Sequence, residues 1–378
     1  MPQITHHRRF TANHTWHVDC AGRRFFVKAN PHHDEAHAEC VGHARLRAFY
    51  PVPRLHGARR LGRWTILTYD RWPHLAPDTG LLLDEITYAD LSSDIRRLDA
   101  CLTAVFTHYQ QTISRTLRRT TNTDTISKLY GDRAAPDGRL DRYYLPNAPW
   151  SITFNGRRLR PSDLAAIRLV INGREQTLDF AELMTRIRVH FARHNPVWAA
   201  ITQGDPTDIN IGWSPDSGPV WFDYDTGGLN ALPGEFACFL LYQRLHGAWL
   251  TPHYNIAAFR DHPSALTPAI LAEPTVNIDQ DRSSLMIDYR HVPSAARRHV
   301  LRRYLDEIIR PIASHLSIDD VMEWLRPYLV MRLLGVHHLA DLEPRDAALS
   351  LALLADALDP DTSLEDFLSL TSTRTEAN

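Results

Sequence analysis

The hydrophobic pattern changes period along the chain, and that change limits the fold more than any single motif. Up to about residue 70, apolar residues come in short runs broken by turn signals. Thr15 to Asp19 and Arg24 to Ala29 predict a hairpin around Ala21-Gly22, and Arg54 to Ala58 with Trp64 to Tyr69 predict two further strands. Between them Asp34 to Phe49 reads as a helix, with Asp34 as N-cap and Tyr50-Pro51 as its stop. Pro73 and Pro77 mark a connector. From Glu85 to Arg119 the apolar residues shift to helical spacing. Residues 121–148 are polar and loop-like. Asn155-Gly156 and Asn172-Gly173 each sit between apolar residues, a hairpin signal. Phe180 to His194 reads as helix and 201–224 as short strands and loops. Beyond Pro233 the pattern is mostly helical (234–249, 294–312, 317–335, 344–357 and 363–370). The expectation is an α+β chain of two unequal lobes. A small β-rich N-lobe spans 1–75 and a larger, mostly helical C-lobe spans 76–378, with 121–178 as an insertion carrying β-hairpins.

Composition excludes several functions. Of the 42 basic residues only Lys28 and Lys128 are lysines, and glycines number 17. No Gly-Lys pair exists, so a Walker-type phosphate loop is absent, and no Gly-x-Gly exists for a dinucleotide loop. No Gly-x-Ser-x-Gly elbow occurs. The four cysteines are scattered, without a Cys-x-x-Cys pair, which argues against structural zinc and fits a reducing cytoplasmic setting. The first residues lack the apolar stretch of a signal peptide, and no run reaches the roughly 18 apolar residues of a membrane span. A net charge of −2 leaves no nucleic-acid footprint. Charge is nonetheless uneven, at +6 over 1–130, −1 over 131–250 and −7 over 251–378. The acidic back end favours a polar or cationic ligand there.

The chemistry-bearing segment is Gln203-Gly204-Asp205-Pro206-Thr207-Asp208-Ile209-Asn210. Thirteen residues beyond Asn210, the apolar run Pro219 to Phe222 ends in Asp223. Asp205, Asn210 and Asp223 supply the hard oxygen atoms that Mg²⁺ prefers, few enough to leave room for phosphate and water. Asp205 could accept a proton from a hydroxyl nucleophile. Lys28 closes the apolar strand Phe25-Phe26-Val27, and a buried lysine needs a carboxylate. Glu39, on the predicted helix, supplies one. Two other clusters hold potential metal ligands. His33 and His37 stand at i, i+4, but Asp rather than Glu follows the first, unlike a zinc-protease helix. Asp225, near Gly227-Gly228, reads as a turn residue or a second metal contact.

Taken in order, N-x-T-W-x-V (Asn13 to Val18), F-V-K (Phe26 to Lys28), a helix with Glu39 ending in V-P-R (Val52 to Arg54), G-D-x-x-x-x-N (Gly204 to Asn210) and F-D (Phe222-Asp223) resemble the aminoglycoside phosphotransferase and choline kinase-like branch of the protein-kinase fold. The matched blocks cover about residues 10–72 and 197–245. The resemblance implies an ATP- and Mg²⁺-dependent kinase of a small hydroxyl-bearing acceptor such as an aminoglycoside, amino sugar or aminoalcohol. It implies Lys28 on the α/β-phosphates with Glu39 holding it, Asp205 as catalytic base or orienting carboxylate, and Asn210 and Asp223 on the metal. It implies Asn13 in the loop over the phosphates and the backbone of Thr68, Tyr69 and Asp70 as the adenine-receiving hinge. No nucleic-acid or membrane partner is implied, and the oligomeric state is open.

Three departures stand out. Gln203 replaces the family's histidine, the phosphate loop lacks its glycine, and Glu235 stands where an aspartate is usual. They motivate two alternatives, a nucleotide-binding module without turnover and transfer of AMP. Lys128 lies outside every matched block and serves as the comparison lysine.

Overall fold

In the computed structural model residues 3–6, 13–72, 80–144, 150–245, 272–279, 281 and 283–371 are described. Strands β1 (Gln3–His6), β2 (His14–Cys20) and β3 (Arg23–Asn30), helix α1 (His33–Leu46), and strands β4 (Leu55–Leu61) and β5 (Trp64–Asp70) open the chain. The five strands form one antiparallel sheet in the order β1-β2-β3-β5-β4. β2 turns into β3 at Ala21 and Gly22, both at positive φ (49° and 77°), the geometry of a tight hairpin. β1, not anticipated, pairs with Trp16 to Asp19. α1 begins one residue before Asp34, because the Asn30 carboxamide accepts the His32 N–H at 2.7 Å and turns the chain there. Asp34 and Glu35 fall in its first turn, where the helix dipole favours carboxylates. The helix ends at Leu46, three residues short of expectation.

The stretch Glu85 to Arg119 is two helices, α2 (Leu82–Ser92) and α3 (Arg96–Thr116). Ser93 adopts a left-handed conformation (φ 57°) and Asp94 takes the Arg96 N–H at 3.0 Å. Short polar side chains compete with the helical ladder in this way. α3 buries Leu98, Cys101, Leu102, Val105, Phe106, Tyr109, Thr112 and Ile113 along one stripe.

Next come β6 (Arg118–Thr121), α4 (Gly131–Ala134), α5 (Arg139–Tyr144), β7 (Ile152–Phe154), β8 (Arg157–Leu159), α6 (Pro161–Ala166), β9 (Arg168–Ile171), β10 (Arg174–Gln176) and α7 (Phe180–His190). The stretch read as a loop from 121 thus holds two short helices. Both Asn-Gly turns are hairpin turns with positive φ at each residue. β11 (Pro196–Thr202), β12 (Ile211–Ser214), β13 (Gly218–Trp221), β14 (Gly228–Ala231) and α8 (Leu232–Leu245) carry the central loops, and β11 lies between β14 and β6 in one sheet.

β15 (Ala272–Asp279) and β16 (Ser284–Arg290) interrupt the region expected to be helical. β16 runs parallel to β9, giving a four-stranded sheet in the order β10-β9-β16-β15. The insertion is therefore built into the C-terminal part. The helix Ala295–Tyr304 continues through a π turn, Leu305–Ile309, into Arg310–His315, and the helices Val321–Gly335, Pro344–Leu358 and Leu364–Phe367 follow. The expected connector around Pro73 and Pro77, the lobe boundary at 75 and the end of the 234–249 helix lie outside the described residues.

The α+β arrangement expected from the sequence, a β-rich first part and a mostly helical later part, is the one observed. One apolar core runs from Ala36, Leu46 and Leu67 through Tyr50, Trp221 and Tyr224 to Phe236 and Tyr328, joining the first sheet to the helical part. Each such side chain, fully buried, contributes about 1.5–3 kcal/mol. The two parts meet at backbone distance, since a Cβ added at Gly42 of α1 would lie 1.7 Å from the Tyr224 carbonyl oxygen. Glu39, one turn earlier on α1, is thereby brought over the loop that holds Asp223. Among the described residues no helix is long and apolar enough to cross a membrane.

Candidate active site

The site begins with a lysine between two carboxylates. The Lys28 Nζ is 2.7 Å from Glu39 Oε2 and 2.8 Å from Asp223 Oδ1. Lys28 and Glu39 are buried at the interface of β3 and α1, and the Tyr69 hydroxyl donates to Glu39 Oε1 at 2.7 Å. Burial would push the lysine toward neutrality, but Asp223 and Glu39 outweigh it and hold the ammonium above the ordinary lysine range. For Asp223 burial acts upward, and Lys28 more than offsets it, so this carboxyl stays below its usual range.

β11 delivers the next group. Thr202 ends the strand, and Gln203, Gly204 and Asp205 follow on a tight turn in which Gly204 has φ +90°. A Cβ there would meet the Thr226 carbonyl oxygen at 2.4 Å, so glycine is required twice over. Gln203 is fully buried and ties two loops together. Its amide nitrogen donates to the carbonyls of Phe222 (3.0 Å) and Asp223 (2.5 Å), and its amide oxygen accepts the Asp205 N–H at 2.6 Å. The residue that departs from the family pattern thus bridges the two acidic loops with a donor on one side and an acceptor on the other. Glu235 of α8 completes the anchorage. Its carboxylate accepts from the Thr202 hydroxyl (2.7 Å), the Gly204 N–H (2.9 Å) and the Tyr109 hydroxyl (2.8 Å).

Asn210 donates its amide to the Asp205 carbonyl at 3.0 Å, and its own carbonyl accepts the Phe222 N–H at 2.9 Å. Asp205, Asn210 and Asp223 are therefore gathered by one hydrogen-bonded frame. The amide nitrogen of Asn210 is committed, which leaves its side-chain oxygen as the atom suited to a metal. Asp223 itself has a left-handed backbone (φ 57°). The Asp205 carboxylate lies 3.0 Å from the Cys238 thiol and 3.3 Å from Arg332 Nη2 of the helix Val321–Gly335.

Thr68, Tyr69 and Asp70, expected at an adenine-receiving hinge, lie in β5, which is paired with β3 on one side and β4 on the other, and Asp70 gives its N–H to the Arg54 carbonyl at 2.9 Å. Asn13 stands just before β2. Lys128 is not a remote comparison. It makes an ion pair with Asp225, two residues from Asp223, and lies 3.8 Å from Glu35 of α1. Both lysines of the chain thus sit on the same acidic loop.

Sequence reasoning also passed over Asp208, inside the motif, whose buried carboxylate pairs with Arg297 at 3.0 Å. Its place between Asp205 and Asn210 was the available signal. Among the described residues no three His, Cys, Asp or Glu side chains are grouped to hold a metal, and His33 instead meets the Thr65 hydroxyl at 2.6 Å. An Asp-plus-Asn pair needs phosphate oxygens and water to complete a Mg²⁺ shell. Burial and then the neighbouring Asp223 push Asp225 up to about 6.

No family model matches the chain, and no curated protein matches it. Solved structures do. The chain is similar to a thermostable mutant of the aminoglycoside phosphotransferase APH(4)-Ia in its apo form, at 11% identity and TM-score 0.49, over 93% of this chain and 94% of that one. It is similar to a microcompartment-associated aminopropanol kinase at 12% identity and TM-score 0.38, over 94% and 90% of the two chains. It is similar to a glucosamine kinase at 13% identity and TM-score 0.40, over 91% and 73%.

Proposed function

We propose that this chain transfers the γ-phosphoryl group of ATP, with Mg²⁺, to a hydroxyl of a small polar molecule. The observation that carries the reading is Lys28 held by both Glu39 and Asp223, while Gln203 ties the Asp223 loop to the Asp205 loop. A phosphate-binding cation, a metal carboxylate and a proton acceptor are thereby fixed relative to one another, as phosphoryl transfer requires. Asp223 and the side-chain oxygen of Asn210 would hold the metal, which when bound offsets charge on the phosphates. Lys28 would hold the α/β-phosphates, and Lys128 would add a second cation on the same loop. The acceptor oxygen forms its bond to the γ-phosphorus as the bond to the ADP oxygen breaks. The hydroxyl proton passes to Asp205, and ADP leaves. An amino sugar and an aminoalcohol belong in the acceptor panel beside uncharged and anionic hydroxyl compounds.

Incubation with Mg-ATP and a panel of hydroxyl compounds tests the reading, following ADP, AMP and a phosphorylated product. ADP with product is the expected result, and Asp205→Asn should remove turnover while nucleotide binding persists. AMP release would instead mean adenylyl transfer. Tight nucleotide binding without either product would mean a binding module.

A further inference from the structure

Among the described residues, the charged groups that reach Asp205 are not the acidic ones that the bulk composition suggests. The acidic excess of the C-terminal third is carried by surface groups such as Asp319, Asp320, Asp341, Glu343 and Asp361, all exposed. Next to the proton-accepting carboxylate the structure gathers guanidinium groups. Arg332, only 9% exposed, reaches Asp205, its one ion-pair partner among the described residues. Arg133, on α4 of the insertion, is attracted by Asp205 and repelled by Arg332 and Arg139, and burial with that repulsion pushes it down to about 10. Its Nη1 is buried with no hydrogen-bond partner. Arg139 is committed elsewhere, donating to the Gly335 carbonyl at 3.0 Å. The same field is felt at His337, held down to about 4 by burial and by Arg332, Arg133 and Arg139.

Arg332 is paired with Asp205, and Arg133 packs against Gly335, one turn along the same helix, with a buried nitrogen that has no hydrogen-bond partner among the described residues. A buried charge without a counter-charge is costly, and a guanidinium fork matches a carboxylate or phosphate bidentately. A cationic acceptor brought to Asp205 would meet Arg332 and Arg133 and be repelled. Resting on the phosphotransfer reading above, we propose that the acceptor is an anionic hydroxyl compound, its carboxylate or phosphate bound by Arg133 beside Arg332 so that its hydroxyl faces Asp205. The insertion then has a role, since α4 carries the selecting arginine.

The test fills the nucleotide side first, with Mg²⁺ and the non-hydrolysable analogue AMP-PNP, and titrates four probes by calorimetry. Glycerate carries a carboxylate, glycerol 3-phosphate a phosphate, glycerol no charge and ethanolamine a positive charge. At least one of the two anions should bind more tightly than glycerol and ethanolamine, and comparing them identifies the group preferred. Arg133→Gln should weaken that binding by about 30-fold, the expected effect of removing one partner of a buried charge pair. Arg133→Lys, which keeps the charge and loses the fork, should fall between, and it serves if the glutamine variant fails to fold. Affinity for Mg·AMP-PNP should be equal in all three proteins. Tighter binding of ethanolamine, no anion binding at tens of millimolar, or anion binding indifferent to Arg133→Gln would each overturn the proposal. Failure of the wild type to bind Mg·AMP-PNP would instead sink the phosphotransfer reading. Anion binding by the nucleotide-free protein, with its dependence on Arg133, would still be measurable.

Discussion

Lys28, Glu39 and Asp223 bind one another so closely that each can be judged by removing another. Lys28→Met leaves Glu39 buried without its counter-ion, which should cost about 3–5 kcal/mol in urea unfolding. Adding Glu39→Leu should return much of that stability without returning activity. Gln203 invites the opposite experiment. Gln203→Ala removes the bridge between the two acidic loops, so kcat should fall about tenfold or more with the KM for ATP little changed. Gln203→His should restore most of it, because an imidazole also offers one donor and one acceptor. The residues legible in the sequence were those whose partners lie in short motifs or on the adjoining strand and helix. Lys128 and Arg332 were not, because what they touch is set by how distant segments fold together.

At the scale of elements, α1 and the loop after β13 are the pair on which the site depends. Gly42→Ala puts a methyl group where the Tyr224 carbonyl oxygen already is. Overpacking of this kind against backbone should cost about 3 kcal/mol or more, and it should weaken nucleotide binding by moving Glu39 off Lys28. The β2–β3 sheet content, read by circular dichroism, should be unchanged. Most elements were readable because local signals agree, as at the Asn-Gly hairpins and the apolar stripe of α3. β15 and β16 were missed although Leu285 and Ile287 alternate with Met286 and Asp288. β15 pairs with β16, and β16 also pairs with β9, more than a hundred residues earlier; pairing over that distance leaves little trace in a local window.

For the whole molecule, Glu235 is where α3, β11 and the Asp205 turn are fastened together. Burial, with a smaller push from Asp205, raises its carboxyl from 4.5 to about 7 against three hydrogen-bond donors. The folded state therefore keeps a proton that the unfolded chain has lost between those values. The stability from this group is full below about pH 4.5, declines as pH rises toward 7 and is lost above it. Urea unfolding of wild type and Glu235→Gln should show it, with the wild type losing stability relative to the variant across that window. A constant difference from pH 4 to 8 would contradict it.

The scarcity of lysine has a practical side once both are placed. Apart from the terminal amine, the chain offers an amine-directed reagent only two targets, and they flank one acidic loop. Lys28 is shielded by burial and doubly ion-paired, whereas the Lys128 side chain is 35% exposed. Mild acylation should therefore mark Lys128 almost alone, and mass spectrometry of that single peptide would report on ligands reaching that loop without any assay of turnover.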